Sequence, residues 1–144
     1  MSELYRRTQI GTLTIVTFII AFLTFLFLNL PDATTRYTIL ILLVVVAILF
    51  SSLTIVITET HLIFYFGPGI MKKKIPLKEI THCKPEKNSI FHGWGIKKIP
   101  GGWLFNVSGL KVVEVTLKNG KRYRIGSPEP EEVCRVVNDL KFSE

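Results

Sequence analysis

Two uninterrupted apolar runs, Ile10 to Leu30 and Tyr37 to Ile57, stand six residues apart at the front of the chain and restrict what it can fold into. From Gln9 to Ala33 the one charge is Asp32, and Tyr37 to Thr58 carries none. A helix of about 20 residues rises roughly 30 Å, the thickness of a bilayer's hydrocarbon layer, so each run is expected to span a membrane once. The connector Pro31-Asp32-Ala33-Thr34-Thr35-Arg36 is too short for a domain and long enough to turn a helical hairpin. The expectation is a transmembrane hairpin over residues 10–52, with spans 10–30 and 37–52, preceded by residues 1–9 as a cytoplasmic N-terminus.

Arg6 and Arg7 precede the first run and Lys72, Lys73 and Lys74 follow the second, whereas the connector offers only Arg36. The positive-inside rule then places both termini in the cytoplasm, as in a multi-pass protein of the cell membrane. Arg6-Arg7 before an apolar stretch also imitates a secretory signal. This run is longer than a signal's apolar region, lacks a small-x-small cleavage site and is followed at once by a second run. A buried core hairpin is disfavoured because the remaining residues are too few to cover two such helices.

The tail of the second run, Leu53-Thr54-Ile55-Val56-Ile57-Thr58, is almost wholly β-branched and suits a strand better than a helix end. The span is therefore read as ending near Ser52, and residues 53–144 as a cytoplasmic β domain. From Leu62 onward the apolar period is two. Leu62 to Phe66 and Ile70 to Ile75 read as a hairpin punctuated by Gly67-Pro68-Gly69. Ile80 to Lys87, Trp103 to Val107, Val112 to Leu117 and Lys121 to Ile125 supply further strands, the last two joined at Asn119-Gly120, a dipeptide suited to tight hairpins. That makes seven strands. Val133, Val136, Val137 and Leu140 then recur at helical spacing after Ser127, so a closing amphipathic helix is expected over residues 129–141.

Seven strands closed by one helix is the order of a pleckstrin-homology-like barrel or sandwich, in which the helix covers an open end and shields sheet edges. Phe66-Gly67-Pro68, Ile75-Pro76-Leu77-Lys78-Glu79-Ile80, Gly93-Trp94-Gly95-Ile96 and Gly120-Lys121-Arg122-Tyr123-Arg124-Ile125-Gly126-Ser127 with Pro128-Glu129 resemble the bacterial PH-like domain family. The resemblance covers about Leu53 to Leu140. It implies a PH-like fold placed directly after transmembrane helices, and the capacity of such domains to form rings. The ligand is not implied, since sites for lipid, peptide and protein have all been built on this scaffold. Eukaryotic lipid-binding relatives carry clustered basic residues between the first two strands. Here that connection is Glu59-Thr60-His61, which argues against phosphoinositide recognition.

Charge is unevenly divided. Glu59 to Ser127 holds 13 Lys or Arg against four acids, a formal +9, and Pro128 to Glu144 holds two against five, a formal −3. A cationic domain beside an anionic leaflet is drawn to it by roughly 1 kcal/mol per basic residue near the surface; the same lysines also simply solvate a barrel. Two clusters are candidates for contact with lipid phosphate or a partner: Lys72, Lys73 and Lys74, and the long Gly-rich loop bearing Phe91, Trp94, Lys97 and Lys98. In a strand, Lys73 points away from the face shared by Lys72 and Lys74. Trp94 also suits a plug for the barrel interior, which leaves Lys97 and Lys98 as the stronger contact candidates.

No catalytic residue is nominated. His61, His82 and His92 have no metal-ligand spacing, Gly93-x-Gly95 meets Lys98 where a nucleotide fingerprint needs glycine, and Cys83 and Cys134 stand far apart as expected free thiols. No metal, cofactor or nucleic acid is expected. The resulting expectation is a non-enzymatic, membrane-anchored PH-like interaction module, a scaffold or assembly subunit that binds a protein partner or itself. The alternative is binding of anionic lipid headgroups by the basic loops, and a membrane enzyme is the third reading.

Overall fold

A computed structural model describes residues 3–89 and 95–142. Strand β1 (Glu3–Ile10) leads through Gly11 into helix α1 (Thr12–Phe27), helix α2 (Ala33–Leu49) and strand β2 (Ser52–Thr58). β1 and β2 pair antiparallel from Glu3 opposite Thr58 to Ile10 opposite Ser52. The helical hairpin is thus an insertion at the end of a two-strand ladder. Helix α1 stops where Leu28 turns extended, two residues before the Leu30-Pro31 step. Helix α2 starts at an N-cap, Asp32, whose carboxylate accepts the backbone N–H groups of Thr34 and Thr35 at 3.3 and 3.0 Å. The hydrogen bond from the Thr35 hydroxyl, followed by those backbone bonds, holds the Asp32 carboxyl below its usual pKa.

This geometry overturns the transmembrane expectation. At 16 and 17 residues the two helices rise only about 24 to 26 Å, and no helix among the described residues is long and apolar enough to cross a membrane. Spans over 10–30 and 37–52 are therefore replaced by shorter helices, because ladder pairing takes Ile10 and Ser52 into strands and Leu28 to Leu30 leave the helix. The multi-pass cell-membrane placement with cytoplasmic termini rested on those spans and falls with them. Glu3 to Gln9 are not a plain leading segment either, since they lie in β1 and pair with β2.

Strands β3 (His61–Phe66) and β4 (Ile70–Pro76) complete a four-stranded sheet in the order β1-β2-β3-β4. A 3-10 turn at Leu77–Glu79 leads into β5 (Ile80–Lys87), β6 (Gly95–Ile99), β7 (Gly102–Asn106), β8 (Lys111–Leu117) and β9 (Arg122–Gly126). These form a five-stranded sheet in the order β5-β8-β9-β7-β6, with β7 and β9 parallel. Helix α3 (Pro130–Phe142) packs on β5 and β8. The expected PH-like barrel or sandwich of seven strands is corrected to two separate sheets with nine strands among the described residues, neither closed on itself. The physical reason is that the chain leaves the first sheet through the 3-10 turn after β4 and starts a new ladder at β5. The barrel seam is never hydrogen-bonded.

The core lies between the sheets. Leu53, Ile55, Ile57, Leu62, Phe64 and Phe66 from the first sheet meet Phe105, Val113, Val115, Tyr123 and Ile125 from the second, and Val133 and Val137 of α3 close the same cluster. Phe64 and Phe105 stack at 4.9 Å between centroids with a 55° tilt, an arrangement favoured by the ring quadrupoles.

Candidate functional site

The helical hairpin is held firmly at its root and almost bare beyond it. Gly11 N–H donates to Ser51 O at 2.7 Å, extending the β1–β2 ladder into the helices. Thr14 Oγ1 donates to Val107 O at 2.6 Å, which ties α1 to the second sheet. Phe50 meets Phe66 at 5.3 Å. Gly67, at φ +50°, lies so close to the end of α2 that a Cβ there would come 2.6 Å from Leu49 O. Above this root, Leu40 is the single buried residue of the two helices. Ile20, Ile41, Leu42 and Ile48 are each more than half exposed and Phe27 is 87% exposed. Ile15, Phe18, Phe22, Leu43, Val44 and Ala47 are among the residues lining an apolar groove of about 260 Å³ between the helices.

The basic residues singled out from the sequence are divided by the two-sheet architecture. Lys72 lies on the β4 edge with its ammonium 5.6 Å from the Tyr65 ring centre, beside Arg6, which donates to Tyr65 Oη at 2.8 Å and pairs with Glu3. That pairing lowers the Glu3 pKa. Lys73 turns towards the second sheet and sits 4.4 Å over the Tyr123 ring, a contact worth about 0.5 to 2 kcal/mol depending on desolvation. Lys74 is exposed opposite Ile63. In the second sheet, register places Lys98, Trp103 and Tyr123 in one row across β6, β7 and β9. Lys97 pairs with Leu104, so it belongs to the opposite face. The row thus brings Lys73 and Lys98 to the same side of the second sheet and leaves Lys72, Lys74 and Lys97 elsewhere. Phe91 and Trp94 lie outside the described residues.

Sequence reasoning passed over three features of this surface. Trp103 is 42% exposed between Lys98 and Tyr123. A cleft of about 860 Å³ opens where the β2–β3 turn meets α3, lined by His61, Lys78, Lys118, Leu140 and Lys141 among others. Lys141 Nζ donates to Ile80 O there, and His61 Nδ1 is 2.8 Å from Thr60 Oγ1. Cys83 and Cys134, 51 positions apart, are brought into contact. Among the described residues no group of three His, Cys, Asp or Glu side chains is placed to hold a metal ion.

No family model, curated protein or solved structure matches this chain.

Proposed function

We propose that the chain is a non-catalytic interaction module, a scaffold or assembly subunit whose two sheets hold a rigid apolar hairpin for packing against the apolar helices of another protein. The observation that carries this reading is the hairpin itself: two helices anchored at the root, with Leu40 alone buried. A monomer rarely leaves more than a few hundred Å² of contiguous apolar surface in water. Each large aliphatic side chain left exposed forgoes roughly 1.5 to 3 kcal/mol of burial. Both helices are apolar around their circumference, so one flat contact does not suffice and the partner must enclose them. Their length of about 24 to 26 Å suits a groove between partner helices and falls short of a hydrocarbon layer.

The test is photo-crosslinking in the native cell from residues placed at Phe22 and Val44, which share the interhelical groove, with Lys118 on the far side of the molecule as control. The reading expects one discrete heteromeric adduct from both groove positions, lost when Ile20 and Ile41 are changed to Arg. Adducts to lipid alone, or to a second copy alone, overturn it. A complementary test uses vesicles: binding to anionic vesicles that falls as salt rises would favour headgroup recognition by Lys72, Lys74, Lys97 and Lys98 instead.

A further inference from the structure

Cys83 lies on β5 in the same register row as Val115 and Tyr123, so its side chain shares the core-facing side of the second sheet. Cys134 lies on the apolar stripe of α3 between Val133 and Val137 and is buried. Packing α3 onto β5 sets the two Sγ atoms 2.8 Å apart, well inside the contact distance of two unbonded sulfurs. Both are free thiols. The contact with Cys134, followed by burial, pushes the Cys83 pKa up, so Cys83 is not an activated nucleophile at neutral pH and its capture by passing electrophiles is slow. The pair is suited to reacting with itself.

From this geometry we propose that Cys83 and Cys134 form a reversible disulfide that clamps helix α3 to strand β5, with a small-molecule disulfide as oxidant. Cys83 is the partly exposed member and is the first to attack the oxidant's disulfide. Its thiol loses a proton, the sulfur bonds to one sulfur of the oxidant, and a small thiol leaves. Cys134 then loses its proton and attacks Cys83 Sγ, and the second small thiol leaves. Two protein thiols and one disulfide become one protein disulfide and two small thiols, a two-electron exchange. α3 forms one wall of the cleft bearing His61, Lys78 and Lys141, so the bond holds that wall in place.

The experiment uses the full chain, incubated with excess oxidised glutathione or with dithiothreitol, then denatured, alkylated and weighed intact. The expected result after oxidation is loss of two hydrogens, no alkylated cysteine, and a crosslinked peptide pair containing Cys83 and Cys134. The melting temperature should rise by on the order of 10 °C relative to the reduced chain, as closing a loop of this length predicts. That rise should vanish with dithiothreitol and be missing in Cys134→Ala. Two alkylated cysteines after oxidation, a persistent mixed disulfide on Cys83, or an intermolecular crosslink overturns the proposal. Because the mass measurement is made on the unaltered chain, it holds even if the variant fails to fold.

Discussion

Arg124 on β9 and Glu114 on β8 form the most deeply set ion pair among the described residues, and removing its cation gives a quantitative prediction. Arg124 Nε donates to Glu114 Oε2 at 2.9 Å, and Glu114 is only 4% exposed. The pair lies on the side of the second sheet opposite the core, beside Leu104 in register. Truncation to Arg124→Ala leaves a buried carboxylate without its main partner, which costs about 3 to 5 kcal/mol. Lys84 Nζ stands 4.0 Å from Glu114 Oε1, but its side chain is 60% exposed, so it offsets at most about 1 kcal/mol. The expected loss is therefore near the lower end, about 3 kcal/mol, or roughly 6 to 12 °C in Tm for a chain of this size. Urea unfolding with an unchanged m-value is the assay, repeated in the Glu114→Gln background. With the charge gone from position 114, Arg124→Ala should cost about 1 kcal/mol or less, and the coupling is read directly. A single-variant loss below about 1 kcal/mol, or the same loss in both backgrounds, would refute the account.

Three further outcomes follow from close approaches and one titration. Gly102→Ala places a Cβ 1.7 Å from Arg122 O across the parallel β7–β9 pair. The strands must part, so the urea midpoint should drop by the equivalent of about 3 kcal/mol or more, with faster amide exchange at Leu104 and Arg124. Gly67→Ala meets both a left-handed φ and Leu49 O at 2.6 Å; it should cost more than about 1 kcal/mol and speed amide exchange in the last turn of α2 ahead of global unfolding. Tyr5 donates to Glu129 at 3.2 Å, and burial followed by that carboxylate pushes its pKa up to about 12 from 10.0. The folded state thus keeps a proton that the unfolded chain releases. This contribution to stability is whole below pH 10 and is lost as pH rises towards 12. A stability-versus-pH profile of Tyr5→Phe should be flatter than that of the unaltered chain across that interval.

Some local elements are legible because short-range chemistry decides them. The β-branched stretch from Leu53 to Thr58 forms β2. Asn119-Gly120 turns β8 into β9, with Gly120 at φ +86° and the Asn119 side chain accepting Lys121 N–H at 3.0 Å. The helical spacing of Val133 and Val137 puts both in the core. Strand β1 is not legible in this way. Glu3 to Ile10 shows no clean alternation, and it is a strand through its backbone pairing with β2, a partner more than 40 residues away in sequence. The apolar runs are longer than the helices for the same reason: hydropathy does not mark where a ladder captures the residues flanking a helix. Period two in Lys72 to Lys74 turns Lys73 away from its neighbours, but only the second sheet supplies Tyr123 beneath it.

By itself the sequence determined the apolar hairpin, the strand-rich basic segment after it and the acidic closing helix, since each rests on propensity or periodicity over a few residues. The tertiary structure alone decided that the strands split into two open sheets, that the hairpin is two short helices rooted in a β1–β2 ladder, and that Cys83 meets Cys134. Those outcomes depend on which distant backbones share hydrogen bonds and which faces close on one core. Local period records that a face is buried, not what it is buried against.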